Sequence, residues 1–249
     1  VIVGTVTPDM VFPSTACSVQ NELGINCGVP AFDVAAACSG FLFALDSADK
    51  YIRLGEAKTA LVIGVDIFSK IVDWKDRSTC VLFGDGAGAV VVKAEEGNSG
   101  IISSSIHSDG RLWEKLYAPG CLPQSPFETS ESKAPYIKMQ GSETFKVAVQ
   151  TIISTCEEAL KSASLKSSDI SLMIPHQANL RIISAAAKKL DLTDDQIFIN
   201  IEKYGNTSAG SIPLALDEAV RGGRVKEGDI LLFVAFGGGL TWASTVVRW

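Results

Sequence analysis

Cys38 lies in the run Phe32-Asp33-Val34-Ala35-Ala36-Ala37-Cys38-Ser39-Gly40, where an apolar strand pattern ends in small residues and a helical pattern begins. A sulfur at a helix N-terminus meets free backbone N–H groups and the positive end of the peptide dipoles, which favour thiolate over thiol. Taken alone, the residue reads equally well as a buried structural cysteine. His176, in Pro175-His176-Gln177-Ala178-Asn179, stands where a strand gives way to a helix, and Asn206, in Gly205-Asn206-Thr207-Ser208, stands just ahead of another. A histidine at such a junction can aim one ring nitrogen into a cleft, with core packing as the alternative. For the asparagine the alternative is a cap or a turn. Together the three supply a thiol able to carry an acyl group as a thioester, and two N–H donors for an oxygen on which negative charge develops.

The elements that must position these groups follow from hydrophobic periodicity. Residues 1–6 and 31–35 read as strands. Residues 39–54 read as a helix with Phe41, Leu45, Ala48 and Ile52 on one face and Gly55 at its end, and residues 59–65 as a further strand. Strand, helix and strand with little polar alternation predict a parallel sheet covered on both faces. Residues 79–92 read as two strands joined through glycines. Residues 230–236, Gly237-Gly238-Gly239 and residues 240–247 repeat that plan. A loop ahead of each copy opens a helix, at Cys38 and at residues 204–207. Two related α/β halves are therefore expected, with equivalent helix starts facing one central site.

Residues 1–103 form the first half on this reading, incomplete at its start because Val1-Ile2-Val3-Gly4-Thr5-Val6 is a strand already under way. Residues 104–140 connect the halves and shape the site entrance, with residues 104–132, which include His107 and Trp113, as an extended surface excursion. Residues 141–249 form the second half. There Phe145, Val149, Ile152, Cys156 and Leu160 mark a helix, residues 170–174 a strand, and Leu180, Ile183, Ala187 and Leu190 the next helix, with Cys156 as core material.

The chain has 249 residues, 47% of them hydrophobic, and a net charge of −6, which fits a globular unit with a large core. With no block of lysine or arginine, it is not expected to bind nucleic acid, although a local basic pocket for a phosphorylated ligand stays compatible with the balance. Six cysteines, at positions 17, 27, 38, 80, 121 and 156, show no Cys-x-x-Cys spacing and are expected to be reduced thiols. With two histidines in the whole chain, no metal site is expected. Neither a membrane insertion nor an export signal is expected.

The chain resembles the 3-oxoacyl-acyl-carrier-protein synthase III family of thiolase-fold condensing enzymes. The resemblance rests on Asp33-Val34-Ala35-Ala36-Ala37-Cys38-Ser39-Gly40, on Pro175-His176-Gln177-Ala178-Asn179-Leu180-Arg181, on Tyr204-Gly205-Asn206-Thr207-Ser208-Ala209-Gly210-Ser211 and on Phe236-Gly237-Gly238-Gly239-Leu240-Thr241-Trp242. It implies a duplicated, layered α/β fold in which the opening strand-helix unit of the first half is missing. A thiolase would carry a second catalytic cysteine near the final glycine-rich turn, and elongating condensing enzymes use two histidines, where this chain has Asn206. A papain-like protease shares the residue types but not two repeated α/β halves.

The resemblance implies acyl transfer from acetyl-coenzyme A, or another short acyl-coenzyme A, to Cys38. Decarboxylative condensation with malonyl-acyl-carrier protein follows, with His176 and Asn206 stabilising the enolate. It places Gly238 with the Cys38 N–H in an oxyanion hole, and Phe236 in support by desolvating the malonyl carboxylate. Met139, Gly141, Phe145, Asn179 and Arg181 line the coenzyme A tunnel, with Arg181 at its mouth. Ser142 and Gly210 depart from an asparagine and an alanine common in the family. No tightly bound cofactor is implied, coenzyme A being a product. A homodimer is implied, with Phe12 near the partner's acyl pocket. The implied location is cytoplasmic, or plastid if a transit segment precedes Val1. A non-catalytic acyl-coenzyme A-binding or scaffold protein is the alternative of a different class.

Overall fold

The computed structural model describes residues 1–25, 28–120 and 136–249. In chain order the elements are β1 (Ile2–Gly4), α1 (Thr15–Glu22), β2 (Phe32–Val34), α2 (Gly40–Arg53), β3 (Thr59–Ile67), β4 (Asp85–Lys93), β5 (Gly100–Ser108), β6 (Leu116–Tyr117), β7 (Lys138–Met139), α3 (Gly141–Ser162), β8 (Leu172–Pro175), α4 (Leu180–Lys189), α5 (Ile201–Tyr204), α6 (Ser211–Arg221), β9 (Ile230–Gly237) and β10 (Thr241–Arg248).

Two four-stranded sheets carry the fold, in the orders β2-β1-β3-β4 and β5-β10-β9-β8. The same plan recurs in both: β1 runs parallel to β3 and β3 antiparallel to β4, as β8 runs parallel to β9 and β9 antiparallel to β10. Alternation along β9 explains the layering. Leu231, Phe233 and Ala235 pack toward α2 and α6 with Phe41, Leu45, Ile212 and Leu216. Ile230, Leu232, Val234 and Phe236 pack on the opposite face with Ile152, Cys156, Ile183 and Ala187 of α3 and α4. A strand buried on both faces has no solvent side to mark with polar residues, so Ile230-Leu231-Leu232-Phe233-Val234 is continuous. Each such side chain contributes about 1.5–3 kcal/mol by leaving water. α2 and α6 thus form a central layer between the sheets, while α1 packs on β1 and β2.

The structure corrects three expectations. Both sheets are mixed, each ending its parallel core in an antiparallel strand. Residues 79–82 form turns, Phe83 makes an isolated bridge to Asn206, and Gly86 and Gly88 of the early repeat lie inside β4; the first strand of that hairpin is β3, and residues 68–84 make a long excursion between them. Gly86 and Gly88 are there because α6 crosses β4 closely: a Cβ on Gly88 would stand 2.8 Å from Leu214 N. Residues 104–108 are strand, since β5 pairs with β10 from Gly100 to Ser108. This edge strand of the second sheet straddles the division at 103/104. His107 within it pairs with Glu158 at 3.1 Å and stacks on Trp242. The rest of the expected excursion from 121 to 132 lies outside the described residues, as do Cys27, Cys121 and the Ser142 side chain. Cys17, Cys38, Cys80 and Cys156 are free thiols.

Candidate active site

Cys38 sits in a single 3-10 turn, Ala37–Ser39, that runs directly into α2. Ala37 holds φ 45°, a left-handed conformation costly for a residue with a Cβ, of order 1–3 kcal/mol. The turn is held against the end of β9. Thr241 Oγ1 donates to Ala36 O at 2.9 Å and Ser39 Oγ donates to Thr241 O at 3.2 Å. Gly237 is required there, because a Cβ would fall 2.7 Å from Cys38 N.

Burial pushes the Cys38 thiol up to about 12, and the nearby charge of Asp66 pushes the same way. The Ser208 hydroxyl and the backbone N–H groups of Cys38 and Gly238 pull it down. The expectation of a favoured thiolate is therefore reversed: desolvation outweighs the helix terminus.

His176 follows β8, its N–H donating to Val234 O at 2.8 Å. The adjoining Gln177, buried, fastens this loop on four sides. Its N–H donates to Ser211 Oγ, its Nε2 to Pro175 O and Phe198 O, and its Oε1 accepts from Asn200 N. His176 is 3% exposed and both ring nitrogens lack a partner among the described residues. Burial holds its pKa down at about 4, so the ring is neutral at neutral pH. A buried unpaired N–H is costly unless a ligand completes it.

Asn206 is pinned by its backbone, with N–H to Leu82 O at 2.9 Å and O accepting from Gly84 N at 2.9 Å. Its Oδ1 accepts from Ser208 N at 2.9 Å, so the amide Nδ2 is the donor end of the side chain. Ser208 also has a positive φ, 50°, and begins a second 3-10 turn, Ser208–Gly210, that runs into α6.

Cys38, His176, Asn206 and Phe236 line one cavity of about 270 Å³, together with Met139, Gly141, Phe145 and Asn179. A second cavity of about 290 Å³ meets Cys38 from the other side, bounded by Gly238, Phe68, Phe83, Leu116 and Ile137. Cys38, Phe83 and Leu116 belong to both. Gly238 lines only the second, and a Cβ on it would press within 2.9 Å of Leu116 O. Arg181 lines neither cavity and is exposed on the first turn of α4, which Asn179 caps through Arg181 N at 2.9 Å. Reading the sequence misses Leu82, Phe83, Asp66 and Ser208. The signal for Asp66 was a lone carboxylate in the apolar run Leu61-Val62-Ile63-Gly64-Val65-Asp66-Ile67.

Comparison with known proteins decides the family. Profiles described as 3-oxoacyl-[acyl-carrier-protein] synthase III and its C-terminal part match residues 32–110 and 160–249. A beta-ketoacyl-[acyl-carrier-protein] synthase III of Alkalilimnicola ehrlichii is 52% identical over 249 residues, all of this chain and 76% of the relative. The chain belongs to the 3-oxoacyl-[acyl-carrier-protein] synthase III family. The crystal structure of the Aquifex aeolicus synthase III superposes with a TM-score of 0.92 at 52% identity, covering 100% of this chain and 76% of that one. That of Thermus thermophilus gives 0.91 at 45%, with the same coverage. The fold is accordingly the thiolase-like one of these condensing enzymes. Among the described residues no helix is long and apolar enough to cross a membrane.

Proposed function

We propose that this chain, an initiating condensing enzyme of fatty-acid synthesis, divides its two half-reactions between the two sides of Cys38. A short acyl-coenzyme A enters through the His176 cavity. Cys38 Sγ attacks the thioester carbonyl, whose oxygen collects charge toward the N–H groups of Cys38 and Gly238. Coenzyme A leaves and the acyl chain lies in the second cavity. Malonyl-acyl-carrier protein then delivers its thioester along Met139, Gly141, Phe145 and Asn179. Loss of carbon dioxide generates an enolate whose oxygen accepts from His176 and from Asn206 Nδ2. Its carbon attacks the acyl-enzyme, giving 3-oxoacyl-acyl-carrier protein. Phe236, 6% exposed beside the thiol, strips water from the malonyl carboxylate and so favours its loss.

The single observation that carries this reading is the neutral imidazole of His176, both ring nitrogens without a partner among the described residues, in the same cavity as Asn206. Neutral donors suit an oxyanion that forms and disappears within one turnover. Acetyl is the proposed primer, since the stacked Phe68 and Phe83 rings, 4.8 Å apart, limit the second cavity. The proposed assembly is a homodimer, supported by the outward-facing run Met10, Val11 and Phe12, the last 84% exposed. Its proposed location is the cytoplasm, in keeping with bacterial relatives.

Single-turnover reaction with radiolabelled acetyl-coenzyme A tests the reading. Covalent label on Cys38, discharged by malonyl-acyl-carrier protein, is expected. Reversible binding without label would return the chain to an acyl-coenzyme A-binding or scaffold role. Comparative turnover of acetyl, butyryl and isobutyryl-coenzyme A ranks the primers, and light scattering at low concentration reads the assembly.

A further inference from the structure

Attack by a thiol on a thioester must dispose of the S–H proton, and His176 is poorly suited to take it. Burial holds the ring at about 4, and no hydrogen bond joins it to the sulfur among the described residues. The side chain that does bond Cys38 Sγ is the Ser208 hydroxyl, at 3.6 Å. Behind Ser208 stands Asp66, 0% exposed. Its Oδ1 accepts from Thr5 Oγ1, Val6 N and Thr7 Oγ1 at 3.1, 2.8 and 3.1 Å, and its Oδ2 from Ala209 N at 3.2 Å. Ser208 is the chain neighbour of Ala209, whose N–H holds Oδ2, and its hydroxyl lowers the Asp66 pKa against burial. A fully buried carboxylate is costly, and four fixed donors explain how the fold tolerates it but not why it ends one hydroxyl away from the nucleophile.

We propose that Ser208 relays the Cys38 proton to Asp66 during acyl transfer, an inference that rests on the acyl-transfer reading of this site. In the reactive arrangement Ser208 turns its single O–H toward Asp66 Oδ2 and offers a lone pair to the thiol. As sulfur attacks, the S–H electron pair becomes the new S–C bond. The proton passes to Ser208 Oγ, and the original hydroxyl proton passes to Asp66. When the tetrahedral intermediate collapses, the C–S bond to coenzyme A breaks. The departing thiolate recovers the proton by the reverse path and leaves as a thiol, with Asp66 ionised again and nothing oxidised or reduced. Desolvation raises Asp66 above the ordinary carboxylate range, which suits a transient proton acceptor. Ser208 touches the reacting atom; Asp66 acts through it.

The relay and a merely electrostatic role for Asp66 predict opposite signs. As a charge, Asp66 disfavours the thiolate, so Asp66→Asn would speed reactions of Cys38. As the end of a relay, it is needed, so Asp66→Asn slows them. The experiment measures single-turnover acylation by acetyl-coenzyme A and the rate of Cys38 alkylation by iodoacetamide against pH, for the wild type, Ser208→Ala, Asp66→Asn and the double variant. Each single variant is expected to lose about a hundredfold in acylation, as removal of a proton-transfer group does. The double variant should lose no more than either single one, because the two act in series. Alkylation near neutral pH should slow in both singles.

Faster alkylation by Asp66→Asn, wild-type acylation by Ser208→Ala, or multiplied losses in the double variant would overturn the relay. Thermal melting checks folding. Should Asp66→Asn fail to fold, Ser208→Ala decides alone, since its backbone N–H to Asn206 is retained. Absence of label in the wild type would defeat the acyl-transfer reading, while the alkylation arm would still decide the relay.

Discussion

Ala37 ahead of α2 and Ser208 ahead of α6 both hold positive φ, 45° and 50°, and each begins a 3-10 turn that runs into a central helix. The backbone solution is the same at both junctions, but the groups it presents differ. The first junction delivers a thiol; the second delivers the Asn206 amide and the Ser208 hydroxyl. The hairpins that follow also diverge. Between β9 and β10 only Gly238-Gly239-Leu240 intervenes, and the turn closes tightly on Cys38. Between β3 and β4 residues 68–84 intervene, and they supply Phe68, Leu82 and Phe83 to the cavity walls. Duplication has thus fixed where chemistry is possible, and single side chains and loop length decide which chemistry occurs on each side.

The sharpest way to break this comparison is at the first junction. Cys38→Ala should abolish acyl-enzyme formation, a loss of about a thousandfold or more by single-turnover labelling, because the second junction offers no thiol to replace it. At the second junction and beside it, Asn206→Ala and His176→Ala should retain some acylation but lose about 10²–10³-fold in malonyl-acyl-carrier-protein decarboxylation. Normal decarboxylation by both would move enolate stabilisation elsewhere. Equal loss in both half-reactions would mean that the two junctions do not divide the work.

A smaller effect belongs to the buried imidazole. His176 titrates at about 4 folded against 6.5 for an ordinary histidine, so the unfolded chain takes up its proton first. Its contribution to stability is complete above about pH 6.5 and is lost as pH falls from there toward about 4. Denaturant midpoints across that window should decline in the wild type, and the decline should be shallower in His176→Gln. An unchanged slope would mean that the ring is already hydrated in the folded state. Least affected should be Arg181→Ala. With its side chain outside both cavities, it should change KM for malonyl-acyl-carrier protein by a few-fold, with a weaker salt dependence, and leave kcat and iodoacetamide reactivity alone. Unaltered carrier kinetics would make Arg181 an ordinary solvated helix residue.

Much of this was legible in the chain itself. The junctions at Cys38, His176 and Asn206 were readable because strand-to-helix transitions leave local marks, namely an apolar run, small or turn residues, then a 3.6-residue periodicity. The core faces of α2, α3 and α4 were readable for the same reason, except that Leu180, expected on the buried face of α4, stands 50% exposed at its first position, before the helix reaches its packing partner. The early hairpin was not. Thr79-Cys80-Val81-Leu82-Phe83 is as apolar as a strand, and only pairing could show that β3 already holds the inner edge of β4, leaving those residues to turn into the site. Likewise Ser104-Ser105-Ile106-His107 carries loop-like composition, yet β10 supplies a complete ladder for it. Strand identity depends on a partner distant in sequence, which local composition does not encode.

The sequence by itself determined the family, the three junctions and the groups Cys38, His176 and Asn206 that they present, since each is a short-range pattern of residue types. Tertiary structure alone decided the state of those groups. A helix N-terminus predicts a thiolate, but enclosure between two sheets removes the water that would solvate it and holds Cys38 up at about 12. It decided too that Asp66 and Ser208, far apart in the chain, converge behind the sulfur. Desolvation and convergence are properties of the packed interior, and no segment carries them before the two halves close on one another.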